Sequence, residues 1–235
     1  MKSFPKELML DHDNIWFLDK EKTNIKQITF EYNDFIPRSK FYKIEGNDNY
    51  IIKVYNEFIF FEEARIKRML KKFYEVSDKI PNIDFPIAYY QENGKVKGLV
   101  IAYYDNSVSL RELLKNDNVE KFMTLYRHGS NIKENIFKLY LEILELFKEM
   151  FQEGLSYLDI HGGNFLLYHN QLKIIDFEPK YLKYNKSRIN EYHILERYFQ
   201  LISKINFCFK IENNLIYPQG KFEIMEKEIK KLIKK

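Results

Sequence analysis

A chain of 235 residues with 45% hydrophobic content is long enough to bury one large core or two smaller ones. Its 38 basic and 34 acidic residues leave a formal charge of +4, a mixed surface that makes no demand for nucleic acid. A single cysteine, Cys208, excludes an internal disulfide. No apolar run approaches the roughly 20 residues that span a bilayer, and with no positive-then-apolar leader a cytoplasmic protein is expected.

Met1 to about Lys26 carries Trp16 and scattered apolar positions but no usable motif, and reads as padding for one face of the strands after it. From Gln27 the pattern turns to strands, Ile28 to Tyr32, Lys40 to Glu45 and Tyr50 to Tyr55. The Gly46-Asn47-Asp48-Asn49 cluster between the last two marks a hairpin. Lys53 interrupts the apolar third strand; a buried lysine is costly unless an anion offsets it, so a carboxylate or phosphate is expected beside it. A helix from Phe58 to Phe73 comes next, with Glu63 beside the apolar stripe that includes Ile66 and Leu70. Asn82 to Gln91 and Lys97 to Tyr104 read as strands around a Glu92-Asn93-Gly94 turn, completing a five-stranded antiparallel sheet.

Ser109 is a candidate N-cap for a short helix through Leu114, and Val119 to Arg127 is a second helix. His128-Gly129-Ser130 separates it from a long helix over Asn131 to Glu153, in which Ile136, Leu139, Ile143, Leu146, Phe147 and Met150 recur at core spacing. Beyond Pro179 to Arg188, an apolar helix runs from Ile189 to about Phe209 and is expected to bury the Cys208 thiol. Lys-rich Lys221 to Lys235 reads as a last helix with a solvated face. His169 and His193 show no metal-ligand spacing.

The chemistry concentrates in Gly154-Leu155-Ser156-Tyr157-Leu158-Asp159-Ile160-His161-Gly162-Gly163-Asn164, continued by a hairpin turning at His169-Asn170-Gln171 and by Asp176-Phe177. This is helix, polar loop, hairpin. Phosphoryl transfer asks a protein mainly to position reactants and to neutralise charge with metal ions. Asp159 can accept a proton from an attacking hydroxyl, and Asn164 and Asp176 offer hard oxygen ligands suited to Mg²⁺. Each alone is an ordinary turn residue. The triplet, placed between a helix and a hairpin, is what points to chemistry.

The segment resembles the catalytic loop and metal-binding Asp of the protein kinase-like superfamily. Asp159 and Asn164 are spaced as in H-R-D-L-x-x-x-N, and Asp176-Phe177 stands where D-F-G is expected. Asp-Ile-His-Gly-Gly-Asn, with His where the usual catalytic-loop Lys stands, looks more like the D-x-H-x-x-N loop of aminoglycoside phosphotransferase-like and related small kinases. The resemblance implies a two-lobed α+β kinase-like fold, with a β-rich nucleotide-binding lobe over 1–104, built of the five strands and one main helix, and a mostly helical catalytic lobe over 105–235. It implies ATP and Mg²⁺ as cofactors, with Lys53 on the α/β-phosphates and Glu63, ahead of Glu62, as its orienting partner. Ile101 takes the gatekeeper position, the backbone groups of Ala102 and Tyr104 take the adenine edge, and Glu191 stands near an acidic residue that ties down the catalytic loop. His161, as a second catalytic residue beside Asp159, takes over from the usual loop lysine as a donor to the γ-phosphate.

Three departures qualify this. Tyr157 replaces the His of H-R-D, Glu178 replaces the Gly of D-F-G, and Asp34 to Lys40 contains no glycine where a Gly-rich loop would lie, so Ser39, with Arg38 or Lys40, is expected to contribute the phosphate donors. The reading is a kinase acting on a hydroxyl of a protein Ser/Thr or of a small molecule. Its alternatives are a pseudokinase or nucleotide-binding interaction module, and an AMP transferase.

Overall fold

In the computed structural model, which describes residues 4–29, 39–55, 62–115, 118–183, 191–212 and 221–234, the chain divides into two compact units. The first comprises Met1–Asp78 and Asp84–Asp105, the second Lys79–Ile83 and Asn106–Lys235. The boundary expected after Tyr104 falls one residue later, and the short Lys79–Ile83 segment goes with the second unit. The class is α+β.

The first unit contains β1 (Met9–Leu10), β2 (Trp16–Asp19), β3 (Ile25–Ile28), β4 (Ser39–Ile44), β5 (Asn47–Tyr55), α1 (Glu63–Val76), β6 (Ala88–Glu92) and β7 (Lys95–Ala102). Its strands form one seven-stranded sheet in the order β1-β2-β6-β7-β5-β4-β3. This corrects the expected five antiparallel strands. The N-terminal stretch read as padding contributes β1 and β2, and β2 runs parallel to β6. Strands of two and four residues are too short to display alternation in the sequence. What holds β2 is tertiary: the Phe17 ring stacks on Tyr89 at 5.4 Å, and Leu18 is fully buried.

The hairpins obey their turn residues. Gly46 (φ 75°) turns β4 into β5, and Asn93 (φ 50°) with Gly94 (φ 68°) turns β6 into β7, left-handed residues of the kind that match sheet twist. Gly98 has a different reason to be glycine: a Cβ there would lie 2.2 Å from the carbonyl oxygen of Lys53 on the neighbouring strand. Helix α1 buries Ile66, Met69, Leu70, Phe73 and Val76, and Phe73 stacks on Phe85 at 4.4 Å. The expected beginning of this helix at Phe58 lies outside the described residues, as does Arg38.

The second unit contains β8 (Val108–Ser109), α2 (Leu110–Lys115), α3 (Val119–Leu125), α4 (Ile132–Gln152), β9 (Ser156–Tyr157), β10 (Phe165–Tyr168), β11 (Gln171–Ile174), β12 (Leu182–Lys183), α5 (Glu191–Phe209) and α6 (Phe222–Ile233). Ser109 Oγ accepts from the Glu112 N–H at 3.2 Å, as an N-cap of α2 should. Helix α4 is the central element: the core positions read from its periodicity are all buried, and α3, α5, α6, β9 and β11 pack around it. Tyr198 donates to the Tyr140 carbonyl at 2.7 Å and Tyr140 to Asn206 Oδ1 at 2.7 Å, fastening α5, while Lys148 pairs with Glu226 at 2.8 Å, fastening α6. Cys208 is partly exposed rather than buried, because the phase of α5 turns Ile205 and Phe209 inward and leaves Phe207 85% exposed. No helix among the described residues is long and apolar enough to cross a membrane.

Candidate active site

Helix α4 ends in a Schellman arrangement that aims the next loop. Gly154 takes φ 79°, its N–H donates to Phe151 O at 3.0 Å, and the Leu155 N–H donates to Met150 O at 2.8 Å. Strand β9 pairs with β12, Tyr157 opposite Leu182, and the Leu158 N–H donates to Tyr181 O at 3.1 Å. A 3₁₀ turn over Gly162–Asn164 then closes when the Asn164 N–H donates to His161 O at 2.9 Å.

Within this loop Asn164, 3% exposed, turns its amide nitrogen to three oxygens: Tyr157 Oη at 2.6 Å, Asp159 O at 2.9 Å and Asp159 Oδ2 at 3.0 Å. The Asp159 oxygens can only accept, which fixes the amide orientation and leaves Asn164 Oδ1 as a ligand atom. The contacts that described residues make to the Asp159 carboxylate fall on Oδ2, leaving Oδ1 open to a proton donor. His161 Nδ1 accepts from the Gly163 N–H at 3.1 Å, so its proton sits on Nε2, which faces Asp159 Oδ2 at 3.6 Å. Burial alone would raise the Asp159 pKa, but the His161 ring, the Asn164 amide and the charge of Lys180 together hold it below the usual carboxylate value. The group is ionised throughout the neutral range.

The same loop is tied to Asp176. The Ile175 N–H donates to Asn164 O at 2.9 Å, and the Tyr157 hydroxyl donates to Ile175 O at 3.2 Å with Asp176 O 3.5 Å away. Asp176 is in the left-handed region at φ 67°, which costs a non-glycine residue about 1 kcal/mol or more. The Glu178 N–H, donating to Asp176 O at 2.9 Å, helps hold it there. Glu178 itself is extended (φ −86°, ψ 138°), so the position where D-F-G carries glycine makes no demand for one here. Its buried carboxylate pairs with Lys180 at 2.9 Å; burial works against the Lys180 ammonium, and this partner outweighs it and raises its pKa. Asn164 carries an amide oxygen and Asp176 a carboxylate, the hard donor types that Mg²⁺ takes, and the bond from the Ile175 N–H to Asn164 O ties their segments together.

In the first unit the register gathers several expected residues. Lys53 pairs with Phe41 and Leu99, Ser39 with Tyr55, and Ile51 with Ile101, so Ser39, Lys53 and Ile101 share one face of the sheet. Lys53 is buried, as its apolar run implied, with Nζ 5.0 Å from the Tyr55 ring centroid. Ser39 is buried at the end of β4. The Tyr103 N–H donates to Asn49 O and the Ile87 N–H to Val100 O. By strand parity the backbone groups of Ala102 point away from β5, just beyond Val100, where β6 begins opposite at Ala88. The Tyr104 hydroxyl is hydrogen-bonded to Asp84.

Glu63 departs from expectation. It was expected to orient Lys53; its carboxylate instead pairs with Lys67 at 2.9 Å, one helical turn on. Lys67 is largely buried and also meets Asp11 at 2.8 Å, so its charge draws both carboxylates. Glu62, the other candidate, is exposed at the N-cap of α1. Asp11, His12 and Asp13 bring three potential ligand atoms within 4.8 Å, but Lys67 already occupies the two carboxylates. Glu191 accepts from the Phe222 N–H at 3.2 Å, at the start of α6.

Tyr157, Glu178 and Lys180 were not assigned roles from the sequence, where the first two stood only as departures from a motif. No family model and no curated protein matches this chain.

Proposed function

We propose that this protein is an ATP-dependent phosphotransferase that moves the γ-phosphoryl group to a hydroxyl acceptor. The observation that carries the reading is the Asp159–Asn164 lock: a carboxylate and an amide 3.0 Å apart, each with one oxygen that takes no hydrogen bond from the described residues, tied to a strained Asp176 through Tyr157 and Ile175. Such a constellation suits a reaction that is mostly positioning and charge neutralisation.

In this reading Asp159 Oδ1 accepts the hydroxyl proton as the acceptor oxygen bonds to the γ-phosphorus and the bond to the β–γ bridging oxygen breaks, releasing ADP. His161 offers the Nε2 proton as a donor to the transferred group. Asn164 Oδ1 and Asp176 would hold Mg²⁺, which when bound neutralises phosphate charge. Lys53, with Ser39 on the same sheet face, is assigned to the nucleotide phosphates, Ile101 and the backbone of Ala102 and Tyr104 to its base. A cytoplasmic setting supplies both ATP and Mg²⁺. The acceptor is a protein Ser/Thr or a small molecule.

The pairing of Glu63 with Lys67 favours a second reading, a nucleotide-binding module that performs no transfer. One assay separates them. The protein is incubated with Mg²⁺ and ATP labelled at the γ or the α position, with water and a panel of hydroxyl acceptors, beside Asp159→Asn and Asp176→Ala. Release or transfer of γ label by the wild type alone supports the phosphotransferase. Transfer of α label indicates an AMP transferase. Nucleotide binding with neither sinks the catalytic reading.

A further inference from the structure

The proposed chemistry leaves unused the pair Gly162-Gly163 and the side chain that lies against it. The start of α2 abuts this turn: a Cβ on Gly162 would lie 3.1 Å from Arg111 N, and a Cβ on Gly163 would lie 3.2 Å from Arg111 Cζ and 3.1 Å from His161 Nδ1. The guanidinium and the imidazole that faces Asp159 therefore both pack against Gly163, closer than a side chain there would allow. Both glycines have negative φ or extended backbone, so the close approach rather than the turn geometry explains them.

Arg111 is exposed, and no hydrogen bond or ion pair to it is found among the described residues. A guanidinium presents a rigid fork of five donors that matches phosphate and carboxylate. A neutral sugar or serine hydroxyl needs no guanidinium beside it to reach Asp159.

We infer that Arg111 is a substrate-binding residue, and that the acceptor carries a phosphate or carboxylate group beside the hydroxyl that Asp159 receives. This deepens the phosphotransferase reading and rests on it for the identity of the acceptor. The anion-binding property belongs to Arg111 and is testable without turnover.

Two measurements keep the failures apart. In the first, inorganic phosphate is titrated at constant ionic strength into the full chain, monitored by NMR on the His161 ring signals, assigned by their loss in His161→Gln. A saturable shift in the wild type, with affinity at least tenfold weaker in Arg111→Ala and partly kept in Arg111→Lys, supports the inference. No saturation, or the same affinity in Arg111→Ala, overturns it, leaving Arg111 as a structural cover for the glycine turn. In the second, γ-label transfer is compared between matched acceptors, glycerol against glycerol 3-phosphate and glucose against glucose 6-phosphate. The wild type should prefer the anionic member at least tenfold in kcat/KM, and Arg111→Ala should abolish that preference. Transfer that depends on Asp159 but shows no such preference overturns the inference while the phosphotransferase stands. Absence of any transfer or hydrolysis removes the phosphotransferase, and the phosphate titration still decides whether Arg111 binds anions.

Discussion

Replacing Tyr157 with Phe removes one oxygen from a ring that is 1% exposed. That oxygen accepts from Asn164 at 2.6 Å and donates to Ile175 O at 3.2 Å. Asn164 keeps two acceptors on Asp159 for its two N–H bonds, so the amide is not stranded. What is lost is the net value of one buried hydrogen bond, about 1 kcal/mol, plus part of the desolvation cost of the Ile175 carbonyl, for roughly 1.5 kcal/mol altogether. For a chain of this length that corresponds to a fall in Tm of about 3–6 °C. Thermal unfolding monitored by circular dichroism, wild type against Tyr157→Phe at one pH, measures it. A change below about 1 °C would refute the claim that this hydroxyl braces the Asp176 turn against the loop.

The same geometry sets further outcomes. Gly98→Ala places a methyl group 2.2 Å from the Lys53 carbonyl oxygen, so β5 and β7 must part; a loss of about 3 kcal/mol or more is expected, read as a lower urea midpoint. Asn135, fully buried, accepts from the His128 and Gly129 N–H groups at 2.6 and 2.8 Å and donates to Asn131 O at 2.8 Å, closing the turn before α4. Asn135→Ala leaves those backbone groups without partners and should cost about 3 kcal/mol in chemical denaturation. Burial works against the Asp11 carboxylate, but Lys67, the Tyr89 hydroxyl and two backbone N–H groups hold it down to about 2 from an ordinary 3.8. Its contribution to stability is thus fully present above pH 3.8 and is lost as pH falls through about 2. Urea midpoints between pH 2 and 5 should show this acid loss in the wild type and less of it in Asp11→Asn.

Much of the fold was legible because long periodic segments and turn residues speak locally. Helix α4 could be read from its apolar recurrence, and the β6–β7 turn from Asn93-Gly94, since only residues tolerant of positive φ serve there. Strands β1 and β2 were not legible, because two- and four-residue strands owe their existence to partners far away in sequence, Tyr89 and its neighbours on β6. The Glu63 pairing was misread for a related reason. Spacing placed Glu63 beside the apolar stripe of α1 but could not reveal that Lys67 would be buried with Asp11 beside it, drawing the carboxylate along the helix.

At the candidate site, the residues that fitted a motif were legible and those that broke it were more informative once seen in place. Tyr157 stands where a histidine is usual, yet a phenol there reaches the Ile175 carbonyl and accepts from Asn164, linking loop and turn through one atom. Glu178 stands where the resemblance would put glycine, but the left-handed backbone is at Asp176, and an extended Glu178 is free to carry a side chain that pairs with Lys180. The two departures are coupled: an aspartate held at positive φ needs anchors on its flanking peptide groups, and Tyr157 with the Glu178 N–H supplies them. If that coupling is correct, Glu178→Gly should weaken the turn rather than restore a more usual one. It frees the backbone at a position that does not use the freedom and deletes the buried partner of Lys180.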